Sequence, residues 1–122
     1  MTVRHKQAAE PADLTRLFVE YANEGDAEKI AGLYEPDAVL EFPLGKETRG
    51  REAIKALYQQ ALTKISHFEE EKALPTIRVG NLALTSTYSA DDKGVRVQVA
   101  RQQSDGTWLR IIDRPEVPPD AG

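Results

Sequence analysis

The sequence predicts an α+β domain: three amphipathic helices, then a strongly curved and mainly antiparallel sheet that wraps them and encloses a pocket. Two observations carry this. In the first half, apolar residues recur at helical spacing, as Leu14, Leu17, Phe18 and Tyr21, and again as Ile54, Leu57, Tyr58, Ala61 and Leu62. After Ile65 the period falls to two, most cleanly where Val95, Val97 and Val99 alternate with Arg96, Gln98 and Ala100.

Taken in order, residues 1–10 have no firm periodicity and read as a flexible arm. Pro11 suits a first helical turn, where its missing N–H costs nothing, and Gly25 suits the position after that helix ends. Asp26 can cap a short second helix that places Ala27, Ile30, Ala31 and Tyr34 on one face, with Pro36 stopping it. Ala38–Phe42 reads as a strand and Pro43-Leu44-Gly45 as a turn. Gly50 then opens the third helix. Ile65–Leu74 and Thr76–Val79 read as one long strand, or a pair bent at Pro75. Leu82–Ser89 is the next strand, closed by the turn Asp91-Asp92-Lys93-Gly94. The valine strand follows, then the turn Ser104-Asp105-Gly106 and a last strand at Thr107–Arg114. The folded unit is expected over residues 11–115, with 116–122 a proline-rich tail.

Composition limits the functions available. The chain has 122 residues, 16 basic against 20 acidic, and a net charge of −4, so a nucleic-acid surface is not expected. There is no cysteine, which removes disulfides, thiolate metal sites and cysteine nucleophiles together. Only two histidines are present, far apart, and the sequence contains no phosphate loop, G-x-G-x-x-G, H-E-x-x-H or G-x-S-x-G. No cofactor and no metal are implied. No apolar run is long enough to span a bilayer and the N-terminus lacks a signal-peptide core, so a cytoplasmic location is expected.

The stretches Asn23-Glu24-Gly25-Asp26 and Leu33-Tyr34-Glu35-Pro36-Asp37-Ala38-Val39, followed by Phe42-Pro43-Leu44-Gly45 and Gly50-Arg51-Glu52-Ala53-Ile54, resemble the NTF2-like superfamily, most closely its SnoaL-like and steroid delta-isomerase-like branches. The closing strand Asp105–Asp113 fits the same branches, so the likeness runs from about Asp13 to Arg114. The resemblance implies a cone with an internal pocket and a homodimer formed through the sheet face. It does not imply one activity, because the fold hosts isomerases, dehydratases, cyclases, hydrolases and non-catalytic adaptors.

Delta-isomerases use a tyrosine donor, a general-base aspartate and a protonated aspartate. Those positions fall here on Phe18, Phe42 and Gln98. Phenylalanine can neither move a proton nor hold an enolate, so steroid isomerisation by the usual route is not expected.

The same register turns Leu109, Ile111 and Asp113 into the cone, and Trp108, Arg110 and Ile112 outward. A carboxylate among apolar neighbours would have its charged form destabilised, which makes Asp113 the candidate general acid or base. The alternative is a strand-end aspartate at the pocket mouth, solvated or paired with Arg114, Arg101 or Arg110. His67 is a weaker acid–base candidate. Phe18, Tyr34, Phe42, Tyr58, Gln98, Leu109 and Ile111 are the expected ligand contacts. Gln98 and Ala100 face inward in this register, which leaves the valines outside and calls for a second subunit to cover them. The expected partner of the pocket is a small lipophilic organic molecule. A non-catalytic ligand-binding or protein-interaction module is the alternative.

Overall fold

The computed structural model describes residues 6–89 and 94–117, so most of the turn read at Asp91–Gly94 and the residues beyond Val117 lie outside the described residues. Helices α1 (Asp13–Asn23), α2 (Ala27–Ala31) and α3 (Arg51–Ala61) pack on a curved six-stranded sheet. Its strands are β1 (Tyr34–Glu41), β2 (Glu47–Arg49), β3 (Ile77–Val79), β4 (Leu82–Tyr88), β5 (Val95–Gln102) and β6 (Trp108–Val117), in spatial order β2-β1-β6-β5-β4-β3. Every neighbouring pair is antiparallel except β1 with β6.

Local chemistry places the helix ends. Gly25 takes φ 72° just beyond α1, and the Asp26 side chain accepts from the Lys29 amide at 3.0 Å to cap α2. Gly50, at φ 93°, turns the chain from β2 into α3 in a conformation that L side chains rarely adopt. Leu14, Leu17, Ile30, Leu40 and Ile54 are fully buried between helices and sheet. Each contributes roughly 1.5–3 kcal/mol by leaving water.

The helices and the three C-terminal strands lie close to their expected positions, and four expectations are corrected. The strand expected over Ile65–Leu74 is not formed. That stretch leaves the sheet, touching it through an isolated Ala73–Thr87 bridge, and only Ile77–Val79 pairs regularly after Pro75. Tyr34 belongs to β1 rather than to a face of α2, because α2 ends at Ala31 and β1 starts early, running through Pro36. The arm is docked at its C-terminal end: Ala8 is buried and its carbonyl accepts from the Trp108 amide at 3.0 Å, while Tyr21 donates to the Lys6 carbonyl at 2.6 Å.

The fourth correction matters most. Trp108 and Arg110, expected outside, are buried, whereas Leu109 and Ile111 are only half-buried. Val99 pairs with Ile112 but Ala100 pairs with Arg110, so β6 carries one extra residue, Ile111, between them. A single-residue bulge reverses the inward–outward parity on one side of it. Asp113 and Arg110 thereby face the same way. A second irregularity between Val95 and Val97 carries β6 past Pro115 to Val117.

Candidate functional site

A cavity of about 430 Å³ opens between the helices and the inner face of the sheet. Thr15, Phe18 and Val19 of α1 reach it from one helical face, and Leu57, Tyr58 and Ala61 of α3 from another. Phe42 closes one side. The irregular segment after α3 covers the mouth through Ile65, His67 and Phe68. Its anchor is Asn23, whose side-chain amide donates to the Phe68 carbonyl at 3.0 Å and accepts from the Phe68 amide at 2.7 Å. The Phe68 ring then meets Phe18 edge-on at 5.8 Å, and Phe18 meets Tyr58 at 5.4 Å. The cover is therefore pinned to the end of α1 through Phe68.

The sheet supplies the polar floor: Gln98 from β5 and Arg110 from β6. The Gln98 Oε1 accepts from the Thr85 hydroxyl at 2.9 Å, which commits its carbonyl and leaves the amide N–H as the group it can offer a ligand. Arg110 is 3% exposed, with Phe18 and Tyr34 rings 5.7 Å and 5.8 Å from its guanidinium carbon. Nearer the rim, Arg96 pairs with Glu71 at 2.8 Å, and Thr87 also donates to Glu71.

Asp113 is 2% exposed and stands opposite Gln98 on β5 and Leu40 on β1. It is not among the residues lining the cavity. Its Oδ2 accepts from the Tyr34 hydroxyl at 2.5 Å and lies 3.6 Å from Arg110 Nη1, while its buried Oδ1 has no partner. The carboxylate thus has polar company in place of the apolar surroundings expected.

Tyr34 is fully enclosed behind the wall. Its hydroxyl gives its proton to Asp113, so its oxygen is left to accept from Arg110 Nη1 and from the Tyr58 hydroxyl, each at 3.4 Å. Burial, and next the Asp113 charge, push both phenols well above their ordinary value, so both remain protonated at neutral pH.

Of the residues expected at the site, Phe18, Phe42, Tyr58, Gln98 and His67 line the cavity. Leu109 and Ile111 do not, because the bulge turns Arg110 inward in their place. Tyr34 and Asp113 reach the cavity only through their neighbours. His67 sits at the rim with its side chain 66% exposed, 3.2 Å from Glu69. The residue missed was Arg110. A signal for it exists: the adjacent apolar pair Ile111-Ile112 breaks strict alternation, as an extra residue in a strand does. Among the described residues, no group of three or more acidic or histidine side chains could hold a metal ion, and no helix is long and apolar enough to cross a membrane.

A family model described as a SnoaL-like domain matches residues 15–110. No curated protein matches. Among solved structures, a candidate calcium/calmodulin-dependent protein kinase type II association domain from Thiobacillus denitrificans aligns with a TM-score of 0.71 at 17% identity, covering 93% of this chain and 100% of that one. A ketosteroid isomerase-like protein from Erwinia carotovora atroseptica gives 0.68 at 14% identity, over 88% and 94% of the two chains. A candidate dehydratase of the NTF2-like family from Streptomyces avermitilis gives 0.66 at 14%, over 87% and 94%. At these identities the likeness shows the fold alone.

Proposed function

This chain belongs to the SnoaL-like domain family, and from that premise we propose that it binds a small, largely apolar organic molecule bearing an electron-rich oxygen. The single observation that carries this reading is the cavity itself: aromatic and aliphatic walls ending on a floor with two donors, the Gln98 amide and Arg110. Its size falls within the roughly 300–1,000 Å³ of small-molecule sites. The walls supply affinity by burying apolar surface, and the donors orient the oxygen.

Filling the cavity tests this. Ala61 lines it from α3, so Ala61→Trp is expected to abolish the thermal stabilisation that small apolar ketones and acids give the parent chain. Equal stabilisation of both proteins would place binding elsewhere and end the proposal.

A second reading is cofactor-free acid–base catalysis of the isomerase, dehydratase, cyclase or hydrolase type. It is favoured by the chain Asp113–Tyr34–Tyr58, which links a buried carboxylate to a hydroxyl on the cavity wall, and by the likeness to the candidate dehydratase and the ketosteroid isomerase-like protein. A proton leaving the ligand would go to the Tyr58 oxygen as Tyr58 gives its own to Tyr34 and Tyr34 gives its own to Asp113. Phe18 and Phe42 at the delta-isomerase positions argue for a reaction other than steroid isomerisation. Asp113→Asn is expected to remove turnover while the ligand still binds; retained turnover would exclude this relay.

The outer sheet face is proposed as a homodimer surface. Val97 and Val99 are half-buried there and Ile112 is 52% exposed beside them. Sedimentation at micromolar concentration should give a dimer that Ile112→Lys converts to monomer. A monomeric parent chain would contradict it.

A further inference from the structure

We propose that the ligand's electron-rich group is a carboxylate and that Arg110 is the residue that receives it, an assignment that rests on the cavity binding a small molecule at all. Arg110 lines the cavity while being almost completely withdrawn from solvent. A guanidinium in that position needs its five N–H donors engaged, and here the structure leaves it short. Both of its polar contacts run through Nη1, to Tyr34 at 3.4 Å and to Asp113 at 3.6 Å. The second is well beyond the roughly 2.7–2.9 Å of a charge-assisted bond. The buried Nε has no partner.

Three acids line the cavity, of which Glu116 is exposed near the end of β6 and the other two are engaged elsewhere. Asp113 Oδ2 is held by Tyr34 at 2.5 Å. Glu71 is engaged by Thr87 and Arg96, and Glu69 by His67. The guanidinium is therefore left short of acceptors, and a carboxylate, which can take two N–H bonds at once, is the anion whose planar geometry suits it. The Gln98 amide lies on the same cavity wall as an additional donor, so an acceptor with two oxygens suits the floor better than one with a single carbonyl. Phe18, Phe42, Leu57 and Phe68 are then left for the ligand's body. Arg96 is paired with Glu71, and Arg110, partly compensated by Asp113, matches a singly charged head and not a phosphate monoester. The ligand class is a small monocarboxylic acid with an aromatic or aliphatic tail.

The test compares 3-phenylpropanoate, 4-phenylbutanoate and 6-phenylhexanoate with their primary amides, by ligand-observed NMR and calorimetric titration. The comparison is repeated on Arg110→Gln/Asp113→Asn, which removes the cation without stranding the buried carboxylate. A charge-assisted bond of roughly 1.5–3 kcal/mol corresponds to acids binding about 10- to 160-fold more tightly than amides. That advantage should vanish in the double variant, which should still bind the amides. Amides binding as tightly as acids to the parent chain would overturn the carboxylate assignment and leave the cavity reading standing. An advantage that persists in the double variant would overturn the role of Arg110. Binding of neither series would overturn both.

Discussion

Replacing Asp113 by leucine leaves the Arg110 cation in a site where it is 3% exposed, with only the Tyr34 hydroxyl at 3.4 Å as a polar contact. Breaking a buried pair by removing one member costs about 3–5 kcal/mol, because the surviving charge has lost its compensation. At roughly 4 °C per kcal/mol for a chain of this size, Tm should fall by about 12–20 °C. Arg110→Met strands the Asp113 carboxylate, whose Oδ1 already has no partner, and should cost a similar amount. The double variant Arg110→Met/Asp113→Leu removes both charges and fills the space with apolar atoms. It should recover most of the loss, so the two single effects are far from additive. Urea unfolding followed by Trp fluorescence measures all four corners of this cycle. Single variants each costing under about 1 kcal/mol, with additive effects, would show that the two groups are solvated and refute the reasoning.

The three remaining predictions are local. Tyr34 and Tyr58 have phenols raised by burial and by Asp113, so their neutral forms stabilise the fold fully below the unfolded value of about 10. Above it the unfolded chain releases protons that the folded chain keeps, and stability should drop by about 1.4 kcal/mol per pH unit for each; absorbance at 295 nm should show these two phenols ionising only as the chain unfolds. Asn23→Ala removes both bonds to Phe68 and should cost about 1–2 kcal/mol, with hydrogen exchange accelerating at Phe68 and its neighbours and not in α3. Gly50→Ala forces a side chain onto φ 93° and should lower stability by about 1–3 kcal/mol in the same urea assay.

How far the sequence could be read depended on whether a feature is set by neighbours along the chain or by register across the sheet. Helical spacing at Leu14, Leu17 and Ile54, the Asp26 cap and Gly25 all act within a few residues. Each stands where local chemistry puts it. The segment after Ile65 failed that test, because its apolar residues Ile65 and Phe68 cover a cavity and do not enter a strand. Asp113 was legible as a buried acid. Arg110 was not, since its direction follows from a one-residue bulge at Ile111, and alternation alone assigns the opposite face. Tyr34 fits a helix face as well as a strand because the two patterns coincide over so short a stretch.

The most direct test of the cavity's role is backbone amide shift mapping of the isotope-labelled chain during titration with 4-phenylbutanoate. The account predicts saturable shifts concentrated at Phe18, Tyr58, Gln98 and Arg110. Shifts centred on Val97, Val99 and Ile112 of the outer sheet face, or none at millimolar ligand, would contradict it.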